Sequence, residues 1–381
     1  MLKSLKGSIK PRGNSFQVKY DAGRHPHTGR RIQKTATFKT EKEAEQFLIE
    51  VNYKLNNGIY KVETKETFGE YFKRWFDTMH KKTVAETTAE TRDCLARKHL
   101  IPRFGYRKLS EITTMELDFF YSDKIDDDYS PKTIKELHIL MKKSLDQAVK
   151  WGLLQSNPAL SATPPSLVPK KAEIWDYDQW DQFLEVAKAY GDEEFYTTSY
   201  FTGGRRGELL GLQWKSVDLE KKKIHIHQTL AYTKTKKLHL KEPKTKSSNR
   251  TISIGDLVVE ALTKQKEKLE ARKRELGDGY QDLDLVFPNS FGGFKTPRNK
   301  LREFYSLTEK AGLTRIPLHN LRHSHATNLL KEGIQPRVVQ ERFGHADLRT
   351  AQEIYSHVTP DIQEEAAVKG ENAYNARKKK A

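Results

Sequence analysis

Between Leu318 and His357 the chain reads LHNLRHSHATNLLKEGIQPRVVQERFGHADLRTAQEIYSH. In this stretch His319 stands three residues before Arg322, His345 follows Gly344, and Tyr355 comes ten residues after that histidine. Leu318, Leu321, Ala326 and Leu329 recur at helical spacing, so His319 and Arg322 are predicted to emerge together on one helix edge. Two donors suited to phosphate oxygens then converge. Gly344 marks a point where a helix turns out of its axis, and Tyr355 sits in a polar run that presents it to solvent. The chemistry implied is attack on phosphate.

A second cluster lies in Phe201–Trp214, FTGGRRGELLGLQW, where Arg205 precedes a short helical pattern. Backbone N–H groups at a helix start favour a phosphate, and an arginine there can grip two of its oxygens. Glu208, at i+3, is placed to hold an arginine or histidine and is assigned an orienting role. A third cluster follows the alternating run Lys223–Leu230. The segment Leu240–Ile254, LKEPKTKSSNRTISI, predicts strands joined by turns with Lys244 and Lys246 at an exposed tip that reaches toward a DNA groove.

These residues, in this order, resemble the tyrosine recombinases of the phage integrase family, in the form carried by phages and integrative elements with an added N-terminal arm-binding domain. The resemblance spans essentially the whole chain and is strongest from Phe201 to His357. It places the family's first catalytic arginine on Arg205, its β-hairpin lysine on Lys244, its His-x-x-Arg pair on His319 and Arg322, its Gly-His on His345 and its nucleophile on Tyr355. Lys246, two residues on and on the same strand face, stays open as the alternative lysine. Arg206 is the rival to Arg205, which alone keeps the Arg-x-x-Glu-Leu spacing.

The resemblance implies a site-specific recombinase that cleaves and rejoins DNA through a 3′-phosphotyrosine bond, integrating and excising a mobile element or prophage, with no metal or ATP. A phenol with an ordinary pKa of about 10 attacks well at neutral pH only beside cations and a base. Arg205 and Arg322 would neutralise the phosphate oxygens, His319 is the leading base candidate, His345 would donate to a phosphate oxygen, and Lys244 would protonate the departing 5′ oxygen. Two other readings share the fold or the chemistry: a DNA-binding regulator that does not exchange strands, and a type IB topoisomerase.

Composition fits a polyanionic partner. The 381 residues carry a formal charge of +17, an excess that otherwise only repels itself. The length allows two or three domains. The single cysteine, Cys94, rules out an internal disulfide or a Cys-pair zinc site. No apolar run reaches a membrane span of roughly 18 residues, and the N-terminal residues show no secretion signal, so a soluble intracellular protein is expected; the family resemblance implies that the compartment is the cytoplasm of a bacterial host.

The elements that must position the site follow from hydrophobic period. The fold class expected is multidomain α+β, with three parts. Residues 1–60 predict strands at Ser15–Tyr20 and Arg31–Phe38 and a helix from Thr40, buried through Ala44, Phe47, Leu48 and Val51. This part has twelve Lys and Arg against five Asp and Glu and resembles an arm-type DNA-binding domain. Its sheet face is expected against DNA, with Lys19, Arg30, Arg31 and Lys34, and Lys246 of the later hairpin, as candidate DNA contacts. Residues 65–165 predict a helical bundle, the family's core-binding domain. Phe68, Tyr71, Phe72, Trp75 and Phe76 form one core stripe there, and a second helix spans Ser130–Trp151. From Asn157 to about 172 a proline-rich basic linker is expected. Residues 173–381 predict the mixed, mainly helical catalytic domain, with helices near Asp178–Ala189, Glu194–Thr202 and Leu257–Glu275. The Arg377–Lys380 tail reads either as a segment that packs on a neighbouring protomer or as a frayed end. His225 and His227 read as packing or surface residues, and His323 and His325 supply no metal set. The family resemblance further implies core and arm attachment sites, a homotetramer on two duplexes, and helper proteins of the excisionase or DNA-bending class.

Overall fold

The computed structural model describes residues 7–24, 31–56, 66–167, 173–242 and 249–344, with isolated positions near the C terminus. The chain divides into two compact units, Met1–Pro169 and Lys170–Ala381.

The first unit holds two separate cores. One belongs to three antiparallel strands, β1 (Gly7–Arg12), β2 (Ser15–Arg24) and β3 (Arg31–Phe38), covered by helix α1 (Glu41–Asn56). Strand β1, which contains Pro11, is one strand more than the two predicted. Helix α1 starts at a reciprocal cap between Thr40 and Glu43, and Ala44, Leu48 and Val51 meet Val18 and Tyr20 beneath it.

The other core is helical. Helix α2 (Phe68–Trp75) opens on a Thr67–Glu70 capping box, α3 spans Glu86–Leu95, α4 (Thr114–Asp126) repeats the box with Thr113 and Glu116, and α5 (Pro131–Lys150) is capped by Ser130. The predicted aromatic stripe is buried throughout, packed among Leu137, Leu140, Met141 and Leu145. Burying each such ring is worth roughly 2–3 kcal/mol, which is why the stripe faces inward.

One expectation is corrected here. The segment after Asn157 begins as part of this core rather than as linker. The Asn157 amide donates to Lys142 O and to Asp146 at 2.9 and 2.7 Å, Ala159 and Ala162 are buried, and Thr163 N–H donates to Asp118.

In the second unit helices α6 (Tyr177–Ala189), α7 (Glu193–Thr202), α8 (Arg206–Leu210), α9 (Asp256–Leu276), α10 (Pro297–Lys310), α11 (Asn320–Lys331) and α12 (Pro336–Phe343) surround two small antiparallel sheets. Strands β4 (Val217–Asp218), β5 (Lys223–Ile226) and β8 (Arg250–Ser253) form one sheet, and β6 (Thr229–Thr233) and β7 (Lys237–Lys241) the other. The run Lys223–Leu230, expected as one strand, is broken at His227 and Gln228 because its two halves pair with different partners. Helix α7 is buried on nearly every side, from Glu194 through Tyr200, as a helix enclosed by others must be. Trp180, Phe183, Phe304 and Leu321 pack around its Tyr196 and Tyr200, and its end delivers Gly203 to the site.

Lys300 of α10 is buried beside α7, its Nζ 2.8 Å from Asp192 Oδ1 and over the rings of Phe195 and Tyr196 at 4.3 and 4.5 Å. Glu303 Oε2 is a second partner of Lys300 Nζ at 3.2 Å, so losing Asp192 weakens the compensation of this buried charge without removing it. Asp192→Asn is therefore expected to cost about 1–2 kcal/mol in urea unfolding, and Lys300→Met, which removes the buried charge and keeps the stem, to cost less.

Candidate active site

Arg205 occupies the extended position before α8, and Glu208 in that helix turns back onto it. The Glu208 carboxylate accepts the Arg205 backbone N–H at 2.9 Å and Arg205 Nη1 at 2.7 Å. It also accepts Arg250 Nη2 at 2.9 Å and Nη1 at 3.3 Å from strand β8. Burial alone would raise its pKa, but the bonds and charge of Arg250, with those of Arg205, outweigh burial and hold it below the usual range. Glu208 is an anion shared by two arginines.

Arg322 is 2% exposed and donates to Gly203 O and Phe343 O, its guanidinium lying 4.8 Å from the Phe343 ring centroid. Burial, then the like charges of Arg205 and Arg250, push its pKa well down, and Glu208 opposes them. A desolvated cation among cations gains when an anion arrives. His319 is the N-cap of α11 rather than a residue within it. Its ring stands 4.9 Å from that of His323. Burial, His323, Arg322 and Arg205 all lower its pKa. The ring reaches water at the cleft wall, so solvent screens part of this effect, but the direction leaves His319 neutral at pH 7 and able to accept a proton.

Arg205, His319 and Arg322 line one cleft of about 390 Å³ with Arg206, Gly207, Tyr305 and Leu318. The spacing therefore brings together Arg205, Glu208, His319 and Arg322 as expected. Arg206, the rival, lines the same cleft, but Glu208 bonds to Arg205. Lys244, Lys246, His345 and Tyr355 lie outside the described residues. Among the arm-face candidates, Lys19 is exposed and opposite Thr35, on the sheet face away from α1. Lys34 is opposite Tyr20 and so shares the helix-covered face, because neighbouring residues on a strand point to opposite sides. Arg31 belongs to β3, and Arg30 lies outside the described residues.

Two arginines escaped the sequence reading. Arg250 had a signal: in Arg250, Ile252 and Ile254 the strand alternation puts an arginine on the inward side with two isoleucines, and Arg250 is buried with them. Arg342, at the end of α12, donates to Phe201 O at 2.7 Å and Ser253 O at 2.8 Å. It carried no pattern of its own.

Gly203 has φ +60, and a Cβ there would sit 2.4 Å from the Phe343 ring. Gly203→Ala is expected to displace the two carbonyls that hold Arg322, slowing strand cleavage about tenfold or more in a single-turnover assay, and to lower the melting midpoint by about 5 °C or more through backbone strain and overpacking. His325 is buried beside the rings of Tyr200 and Phe343 at 5.2 and 5.7 Å. Burial, then Arg342, lowers its pKa to about 3. The unfolded chain takes up this proton first, near pH 6.5. Stability is thus lost as pH falls from there toward about 3, and melting curves of His325→Phe should lose less on acidification than those of the parent chain.

Three family models match the chain: the phage integrase family over residues 175–361, the N-terminal SAM-like domain of phage integrases over 67–125, and an arm DNA-binding domain over 8–55. The chain is similar to the ICEBs1 integrase of Bacillus subtilis (strain 168), 27% identical over 364 residues, covering 93% of this chain and 96% of that protein. It is also similar to a XerC-like tyrosine recombinase of Caldanaerobacter subterraneus subsp. tengcongensis, 26% identical over 363 residues, covering 91% and 93%. The integrase of transposon Tn1549, solved with circular intermediate DNA, matches with a TM-score of 0.68 at 18% identity, over 80% of this chain and 99% of that one. A lambda integrase dimer bound to a COC′ core site matches with a TM-score of 0.58 at 16% identity, over 93% and 96%. At such identities the structural likeness speaks for the fold. The family models, following one another along the sequence in the order arm, SAM-like and catalytic, carry the conclusion: the chain belongs to the phage integrase family of tyrosine recombinases.

Proposed function

We propose that this protein is an integrase that cuts and rejoins DNA at specific attachment sites, with Tyr355 as nucleophile. The observation that supports this most directly is the cleft in which Arg205 and Arg322 are held in place beside His319. Arg205 and Arg322 neutralise the non-bridging oxygens as the Tyr355 oxygen bonds to phosphorus, and His319 takes the phenol proton. The bond to the 5′ oxygen breaks, and Lys244 supplies the proton to that leaving group, with Lys246 as the alternative donor. His345 donates to a phosphate oxygen. The resulting phosphotyrosine keeps most of the energy of the broken diester, so a 5′-hydroxyl from another strand reverses the step and completes transfer.

DNA is the partner, and the exposed face of the first sheet supports a second contact on it. Lys10, Lys19 and Arg12 project there with Gln17, Thr35 and Thr37. Lysines touching phosphate add affinity independent of sequence. Four protomers acting on two duplexes, with an excisionase or DNA-bending helper, complete the reading. No helix among the described residues is long and apolar enough to cross a membrane.

Incubation with a nicked attachment-site duplex is expected to trap a covalent protein–DNA adduct that Tyr355→Phe abolishes, with the nucleotide recovered on the Tyr355 peptide. No adduct from the unaltered protein on its own site would favour a binding-only regulator, and relaxation of plasmid lacking any site would favour a topoisomerase. Lys19→Ala should weaken binding to arm DNA and reduce the magnitude of its salt slope by about one, while cleavage of a short core site is unchanged.

A further inference from the structure

Helix α12 ends in three successive peptide carbonyls, and each is taken by a different arginine. Arg342 O accepts Arg250 Nε at 3.0 Å, Phe343 O accepts Arg322 Nη2, and Gly344 O accepts Arg205 Nη2 at 3.4 Å. The last carbonyls of a helix have no partner within it and carry its negative dipole end, so cations are the natural occupants. Here two of the three occupants are the phosphate-binding arginines of the cleft. Past Gly344, whose φ of +61 turns the chain off the helix axis, the sequence runs on to His345 and Tyr355.

Arg250 differs from the other two because it does not line the cleft. All three of its guanidinium nitrogens are engaged: Nη1 and Nη2 on Glu208, and Nε on Arg342 O. Its side chain is 6% exposed. The contact is reciprocal, since the Arg342 side chain reaches back to Ser253 O on the same strand.

We propose that Arg250 is a positioning residue for DNA cleavage, joining the carboxylate that aims Arg205 to the backbone that leads into the nucleophile segment. This rests on the recombinase reading above. One planar fork sets two distances together, the placement of Glu208 under Arg205 and the height of the α12 exit, and a lysine ammonium cannot reproduce both. The competing role is stability alone, since buried ion pairs often add little else.

The test uses the full chain, a nicked core-site duplex, and the variants Arg250→Lys, Arg250→Gln, Glu208→Gln and the double Arg250→Lys/Glu208→Gln. Three quantities are read: the melting midpoint, the dissociation constant for the duplex, and the single-turnover rate of adduct formation. Arg250→Lys and Arg250→Gln are expected to bind DNA within about threefold of the parent yet form adduct about tenfold or more slowly. The double variant should be no slower than the slower single one, because both changes cut the same link. The proposal is overturned if folded variants cut at the parent rate, if rate losses multiply in the double, if binding weakens as much as cleavage, or if neither Arg250 variant folds. Absence of adduct from the parent protein would instead sink the recombinase reading, which separates the two failures.

Discussion

Guanidinium groups repel one another, and this protein gathers several of them in and directly behind one cleft. Arg205, Arg250 and Arg322 face a single buried carboxylate, Glu208, which binds the first two directly and draws the charge of the third. In a partly desolvated setting such attractions and repulsions exceed their values in water. The arrangement holds because Glu208 has two oxygens and each accepts from both arginines. Three cations against one anion leave the positive surplus that a phosphodiester would complete.

The remaining elements keep that surplus in place. Helix α7, enclosed on nearly all sides, ends at Gly203, whose carbonyl takes Arg322. Strand β8 brings Arg250 to Glu208, and α12 brings the carbonyl row. None of these segments is adjacent in sequence to the others, so the geometry of the cleft is a property of the packed core around Trp180, Phe183, Tyr196 and Phe304. The chain's overall excess of basic residues acts at longer range, drawing DNA in before any local contact forms.

Local signals were read well where the cause is local. The capping box at Thr40 and the helix start at Ser130 depend on residues three apart, and the structure adds the same box at Thr67 and Thr113, which the sequence analysis does not single out. The stripe from Phe68 to Phe76 buries itself by helical period alone. The Arg205–Glu208 contact was visible for the same reason, being an i, i+3 pair. The misreadings share an opposite cause. Lys34 is expected on one sheet face with Lys19, and the register sets it on the other, beside Tyr20. The proline-rich stretch after Asn157 looked extended, but Asn157 finds Lys142 O and Asp146 across the bundle. The strand Lys223–Leu230 looked continuous, and only its pairing partners divide it.

By itself the sequence determined which reactive side chains this protein has on offer, and the order in which the chain delivers the arginine, the lysine, the His-x-x-Arg pair, the Gly-His and the tyrosine that the proposed chemistry draws on. It also determined most helices, because their caps and apolar periods are written within a few residues. Tertiary structure alone decided that Arg250, 42 residues beyond Glu208, shares its carboxylate, and that the end of α12 lies on three arginines. Those contacts join segments far apart in the chain, and no local pattern encodes a meeting set by how a whole core packs.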